Sequence, residues 1–169
     1  MAQPWLSQRA AKLSAVTALA CFVVMALTVV VAGALTPGYS HVSQYISELG
    51  ARGAPQEWGV RLAGFLPAGI LLLAFCSFAY AALPRSSGTT LALVGLALYA
   101  AGYLVAAAYP CDLGCRPDKP TASQLIHNAG GRLGTCSRQR SCSPSHALPV
   151  PGRVQVTWPW LATRQPGSH

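Results

Sequence analysis

From Leu13 to Leu35 the chain carries no charged residue, and nearly every side chain is apolar or small. About 20 such residues cross the hydrocarbon layer as a helix, so the run predicts a transmembrane span over 13–35. Two further runs meet the same criterion and predict spans over 62–83 and 89–109. Within them, Gly64 with Ala68 and Ala97 with Ala101 form small-xxx-small pairs, which predict close approach of neighbouring helices. Pro67 lies inside the second run, a position tolerated in a bundle when neighbours satisfy the freed carbonyl. Cys21 and Cys76 fall within spans as small buried hydrophobes. The first run competes with a cleaved signal peptide, since Ala32-Gly33-Ala34 has the small residues of a cleavage site. Its apolar core exceeds the roughly 7–15 residues of a signal h-region, which favours the span.

Between the first two spans lies the chain's richest polar mixture, 36–50. Val42, Tyr45, Ile46 and Leu49 recur at helical spacing, while His41, Gln44 and Glu48 fall on another face with Ser47 beside them. The pattern predicts a short amphipathic helix over 40–49 at the membrane surface. Ser40 would cap its start and Gly50 would close it in a left-handed conformation. Such interfacial helices need no catalytic role. Trp58 then suits an aromatic belt, and Arg61 suits snorkelling to the interface.

The turn at 84–88 holds only Arg85, and the amino-terminal segment holds Arg9 and Lys12 with no acid, which favours a cytoplasmic amino terminus. That orientation puts the 36–58 and 110–121 loops outside a plasma membrane. There Cys111 and Cys115 could close a small disulfide ring. A fourth helix starts at 121–131 and stops early, as though the membrane domain, 1–131, were partial.

Composition changes the picture in one place. The chain is 52% hydrophobic and 9% charged, with formal charge +8, yet only +3 of that lies before Arg132. The remaining five arginines stand in a Pro- and Ser-rich tail, 132–169, without an acid among them. Its composition is that of a disordered basic tail outside the fold. A reading-frame shift would give so abrupt a switch. The other readings are a genuine arm for anionic lipid or RNA, and a metal knuckle of Cys136, Cys142 and His146. No specific nucleic acid partner is expected of the apolar part. Its partners are the lipid bilayer and other membrane helices.

Three pieces in order carry a family resemblance: Pro37 to Gly50 with Gly53-Ala54-Pro55, Tyr109-Pro110-Cys111-Asp112-Leu113-Gly114-Cys115, and Ile126-His127-Asn128. Together they resemble the bacterial membrane proteins called domain of unknown function 998, over roughly residues 13 to 131. The resemblance implies a polytopic helical protein with more spans than this chain shows, hence a truncated copy. It implies no activity and no catalytic residue.

The fold class expected is all-α: an integral membrane helical bundle with three full spans, a short interfacial helix, an incomplete fourth helix and a disordered C-terminal tail. Its biochemistry divides between two classes. A non-enzymatic protein that binds a lipid or small molecule, or assists a partner, suits Gly- and Ala-rich spans that leave crevices. The alternative is a membrane-embedded hydrolase. His41, Glu48, Asp112 and His127 gather at one predicted face and could hold zinc, whose bound water becomes a nucleophile near neutral pH. Without metal, an imidazole–carboxylate pair could activate Ser40, Ser43 or Ser47. Polar residues at helix ends also simply meet headgroups and water, and no cofactor is implied. A transporter is disfavoured, because no ionisable residue lies inside any span.

Overall fold

The computed structural model describes residues 4–135, and among them every regular element is helical. Helix α1 spans Pro4–Leu35, α2 is the single turn Ile46–Leu49, α3 runs over Glu57–Ala82, α4 over Ser87–Ala108 and α5 over Ala122–Thr135. Three of these, α1, α3 and α4, are long and apolar enough to cross a membrane. At about 1.5 Å per residue, the 22 residues of α4 give a length close to the roughly 30 Å hydrocarbon layer. Leu19, Phe22, Val30, Ile70 and Leu91 stand exposed on these helices, as lipid-facing side chains do.

The helices pack in chain order: α1 against α3, α3 against α4, and α4 against α5. Small residues set the approach. A Cβ on Gly64 would come within 2.5 Å of Thr28 Cγ2, and Ala68 below it is fully buried against α1. This pair makes the contact its spacing predicts. In α4 the close approach uses neighbours of the expected Ala97 and Ala101. A Cβ on Gly69 would meet Leu104 and Ala100 O, and one on Gly102 would lie 2.9 Å from Gly130 O.

Pro67 finds its accommodation inside its own helix. Val60–Phe65 forms a π-helical stretch, and the Leu66 N–H reaches back to Arg61 O, five residues away. This wider turn lies just before the position where a proline ring would collide with the carbonyl four residues earlier. All three spanning helices also start earlier than hydropathy alone suggests. The second begins at Glu57, so Trp58 and Arg61 belong to it.

The core sits at one end of the bundle. Ala32, Val60, Phe65 and Ala107 are buried there around Leu49, with Met25, Tyr39 and Tyr103 packed against them. The expected interfacial helix over 40–49 contracts to Ile46–Leu49. Its hydrogen bonds explain why: Gln44 Oε1 accepts the Ser40 N–H at 2.8 Å, and Glu48 Oε1 accepts the Tyr45 N–H at 3.0 Å. The chain therefore enters the helix at Tyr45, closed by a side chain from within, rather than at Ser40. Val42 is 98% exposed and packs on nothing, whereas Leu49 plugs the core. Gly50 follows with φ −101°, not left-handed. Glycine serves there by closeness, since a Cβ would lie 3.1 Å from Val60 Cγ1 and 3.2 Å from Phe65 Cε2. The left-handed turns fall instead at Gly38, Gly53 and Gly114. The expected disordered tail starts too early at 132, because 132–135 continue α5; the rest of it, with its basic-arm and metal-knuckle readings, lies outside the described residues.

Candidate binding cleft

Above the core, the end of α4, the middle of α5 and the 41–47 segment form a cleft of about 510 Å³. Met25, Phe65, Tyr103 and Ala106 line its apolar side, with Gly102, Gly130 and Gly131 where α4 and α5 cross. His41, Gln44, Ser47 and His127 supply its polar side. Two histidines distant in sequence thus meet one cavity, each positioned by a different device.

His41 lies over α1. A Cβ on Gly33 would fall 2.5 Å from its Cε1, and the Tyr39 ring meets its face edge-on at 5.0 Å. Any side chain at 33 would have to displace the imidazole. His127 is held by α5, with Nδ1 3.0 Å from Tyr109 O. A carbonyl can only accept, so Nδ1 carries the proton and Nε2 of the neutral ring is an acceptor.

The disulfide between Cys111 and Cys115 closes the loop between α4 and α5. Its sulfurs lie over the cleft's rim: Cys115 Sγ is 3.4 Å from Ser47 Oγ, and Cys111 Sγ is 3.4 Å from Ser47 O. Arg52 N–H donates to Cys111 O at 2.8 Å, and Arg116 stacks on the Tyr45 ring and bonds its hydroxyl. Gln124, fully buried, ties the loop to α5. Its Oε1 accepts the Asp112 N–H at 2.7 Å, while Nε2 donates to Cys115 O and Asn128 Oδ1. Every polar atom of that amide is used, as burial demands.

The two candidate carboxylates do other work. Glu48 holds the backbone N–H of Tyr45 and, at 2.9 Å, the Gln44 amide. Asp112 accepts from Thr121 N at 3.0 Å and Thr121 Oγ1 at 2.8 Å, at the entry to α5. The Thr121 backbone bond, aided by its hydroxyl and by Arg52, holds the Asp112 carboxyl below its ordinary value. Neither carboxylate lines the cleft. Among the described residues no three His, Cys, Asp or Glu side chains converge to hold a metal ion, so the four-ligand zinc set of His41, Glu48, Asp112 and His127 is not assembled. Zinc needs three or four such ligands near 2 Å, and here the acids are turned to backbone donors.

Sequence reasoning missed the aromatic side of the cleft. Tyr103 and Tyr99 sit one turn apart in α4, hydroxyl to hydroxyl at 3.2 Å. Tyrosines inside a predicted span, one turn from each other, were the available signal. Arg61 was also misplaced. It is buried rather than snorkelling, and it bonds Ala107 O, Ala108 O and Glu57. Tyr39 carries a buried hydroxyl without a hydrogen-bond partner among the described residues. Burial, with the charge of Glu48, pushes that phenol above its ordinary value.

Three helices of this length and apolar character define a multi-pass helical membrane protein. The chain belongs to the protein family of unknown function DUF998, whose profile matches residues 16–142. That match covers the larger part of α1, all of α3, α4 and α5, and the residues lining the cleft. No curated protein and no solved structure matches the chain.

Proposed function

We propose that this protein binds an amphiphilic small molecule or lipid in the cleft and does not turn it over. The observation that carries the reading is the cavity's mixed lining, polar His41, Ser47 and His127 together with apolar Met25, Phe65 and Ala106. Its volume, about 510 Å³, falls in the range of small-molecule sites, which are concave and mostly apolar with a few placed polar groups. Binding is favoured over hydrolysis by the partners of the catalytic candidates. Ser47 Oγ neighbours Cys115 Sγ rather than an imidazole, and Glu48 and Asp112 are spent on backbone N–H groups. A serine nucleophile needs a base within hydrogen-bond reach.

The cleft faces the outside of a plasma membrane and the amino terminus the cytoplasm. The Cys111–Cys115 disulfide at the cleft's end supports this, because disulfides persist in oxidising compartments. Arg85 in the turn at the opposite end agrees with it.

Gly131 provides the test. It lines the cleft on α5, and a Cβ there meets nothing within 4 Å, so the backbone has room for a side chain and Gly131→Phe adds bulk at the cleft wall. Wild type in mild detergent should retain membrane lipid in native mass spectra through stepwise delipidation, and the plugged variant should lose it. Equal retention by the two overturns the binding reading. Chemical conversion of the retained lipid that His41→Ala and His127→Ala abolish would establish an enzyme instead.

A further inference from the structure

Among the described residues, none that lines the cleft is a Lys, Arg, Asp or Glu. The charges nearest its rim are taken: Arg116 lies on Tyr45, and Glu48 holds Tyr45 N–H and Gln44. Arg132, next to Gly131, does not line it. A phosphate headgroup placed here would give up its water without gaining a fixed cation, an unfavourable exchange.

The uncommitted hydrogen-bonding capacity has a definite pattern. Gln44 has its Oε1 on Ser40 N–H and its Nε2 on Glu48. His127 has Nδ1 on Tyr109 O, which leaves Nε2 as an acceptor in the neutral ring. Tyr99 and Tyr103 share one hydrogen bond between two hydroxyls, so one phenolic proton is left to donate. With the His41 imidazole and the Ser47 hydroxyl, which also line it, the cavity offers several hydrogen-bond donors and acceptors beside apolar Met25 and Phe65, His127 Nε2 and the tyrosine pair among them.

Resting on the binding reading above, we infer that the occupant is an uncharged lipid whose head carries a free hydroxyl near an ester carbonyl, as in a diacylglycerol. The hydroxyl donates to His127 Nε2, the carbonyl accepts from the tyrosine pair, and the acyl chains lie along the apolar wall and out between the helices.

Two photoprobes with the same diazirine-bearing acyl chain test this, one a diacylglycerol and the other the corresponding phosphatidic acid. Each is added to the full chain in nanodiscs of uncharged phospholipid. The diacylglycerol should label cleft peptides at least ten-fold more than the phosphatidic acid, and Gly131→Phe should remove at least nine-tenths of that signal. His127→Ala should lower it several-fold while the phosphatidic acid background stays unchanged. Should Gly131→Phe fail to fold, Gly131→Leu serves as the plug. Equal or stronger labelling by phosphatidic acid that the plug removes overturns the uncharged head while leaving a lipid site. Diacylglycerol labelling indifferent to His127→Ala overturns the hydroxyl assignment. Labelling of both probes that ignores the plug sinks the cleft itself as the site.

Discussion

Arg61 Nε donates to Ala107 O at 2.8 Å, joining the start of the second span to the end of the third. Its Nη2 reaches Ala108 O, its Nη1 pairs with Glu57 at 2.7 Å, and Trp58 stacks on its guanidinium plane at 4.6 Å. A cation at a helix C-terminus meets carbonyls that lack intrahelical partners, and it opposes the negative end of the helix dipole. Arg61→Met keeps the volume but leaves those carbonyls unsatisfied. Charged hydrogen bonds contribute about 1.5–3 kcal/mol each, and Glu57 can partly rehydrate, so the net loss should be about 2–4 kcal/mol. A denaturant titration in detergent checks it. Arg61→Lys should recover only part of the loss, because an ammonium cannot span three acceptors in one plane.

Gly64 lets α1 and α3 touch through Thr28, so Gly64→Leu must push them apart. Overpacking of this kind costs about 1–3 kcal/mol and should lower the thermal midpoint. Thr28→Ala in the same chain should recover part of it, since the clash is with the Thr28 side chain. Loss that Thr28→Ala leaves untouched would place the strain elsewhere.

Closing a loop as short as 111–115 should stabilise the fold by about 2 kcal/mol on the chain-entropy account. Reductant or a double Cys→Ala change should lower stability by that amount and free the Ser47 rim. A membrane-impermeant maleimide should tag Cys111 and Cys115 on intact cells only after reduction. Tagging only after cell lysis would reverse the orientation proposed here.

Asp112 predicts an acid limit. Its folded value lies below the ordinary 3.8. The unfolded chain therefore binds the proton first, so the group's stabilisation is present above about that pH. It disappears as pH falls through the folded value. Thermal midpoints measured from pH 6 downward should drop near pH 4 and below, and Asp112→Asn should flatten that part of the curve.

The spans were legible because apolar runs of this length have one common explanation, and Gly64 with Ala68 marked the α1 contact. The helix over 40–49 was overextended because Val42, Tyr45, Ile46 and Leu49 share a helical period without sharing a surface. Local side-chain hydrogen bonds from Gln44 and Glu48 end the helix early, and periodicity carries no trace of them. His41 and His127 were singled out from residue type and from the membrane face that the predicted spans give them both. Their meeting depends on Gly33, Gly102 and Gly130, whose close contacts come from tertiary packing. Arg61 was misjudged for the same reason. Its partners are backbone carbonyls of another helix, and carbonyls have no residue identity to read.

The π-helical stretch before Pro67 makes the second span, in effect, a helix with one residue too many. Removing a residue between Leu62 and Phe65 would restore ordinary winding while the turn before it kept its facing, because the widened turn already absorbs the extra residue. Arg61 would stay at the end of α4, whereas a deletion in the regular winding farther along the span would rotate everything before it by about 100°. A single-codon deletion in the widened turn should therefore harm the protein less than one in the middle of the same span, although hydropathy would scarcely distinguish the two.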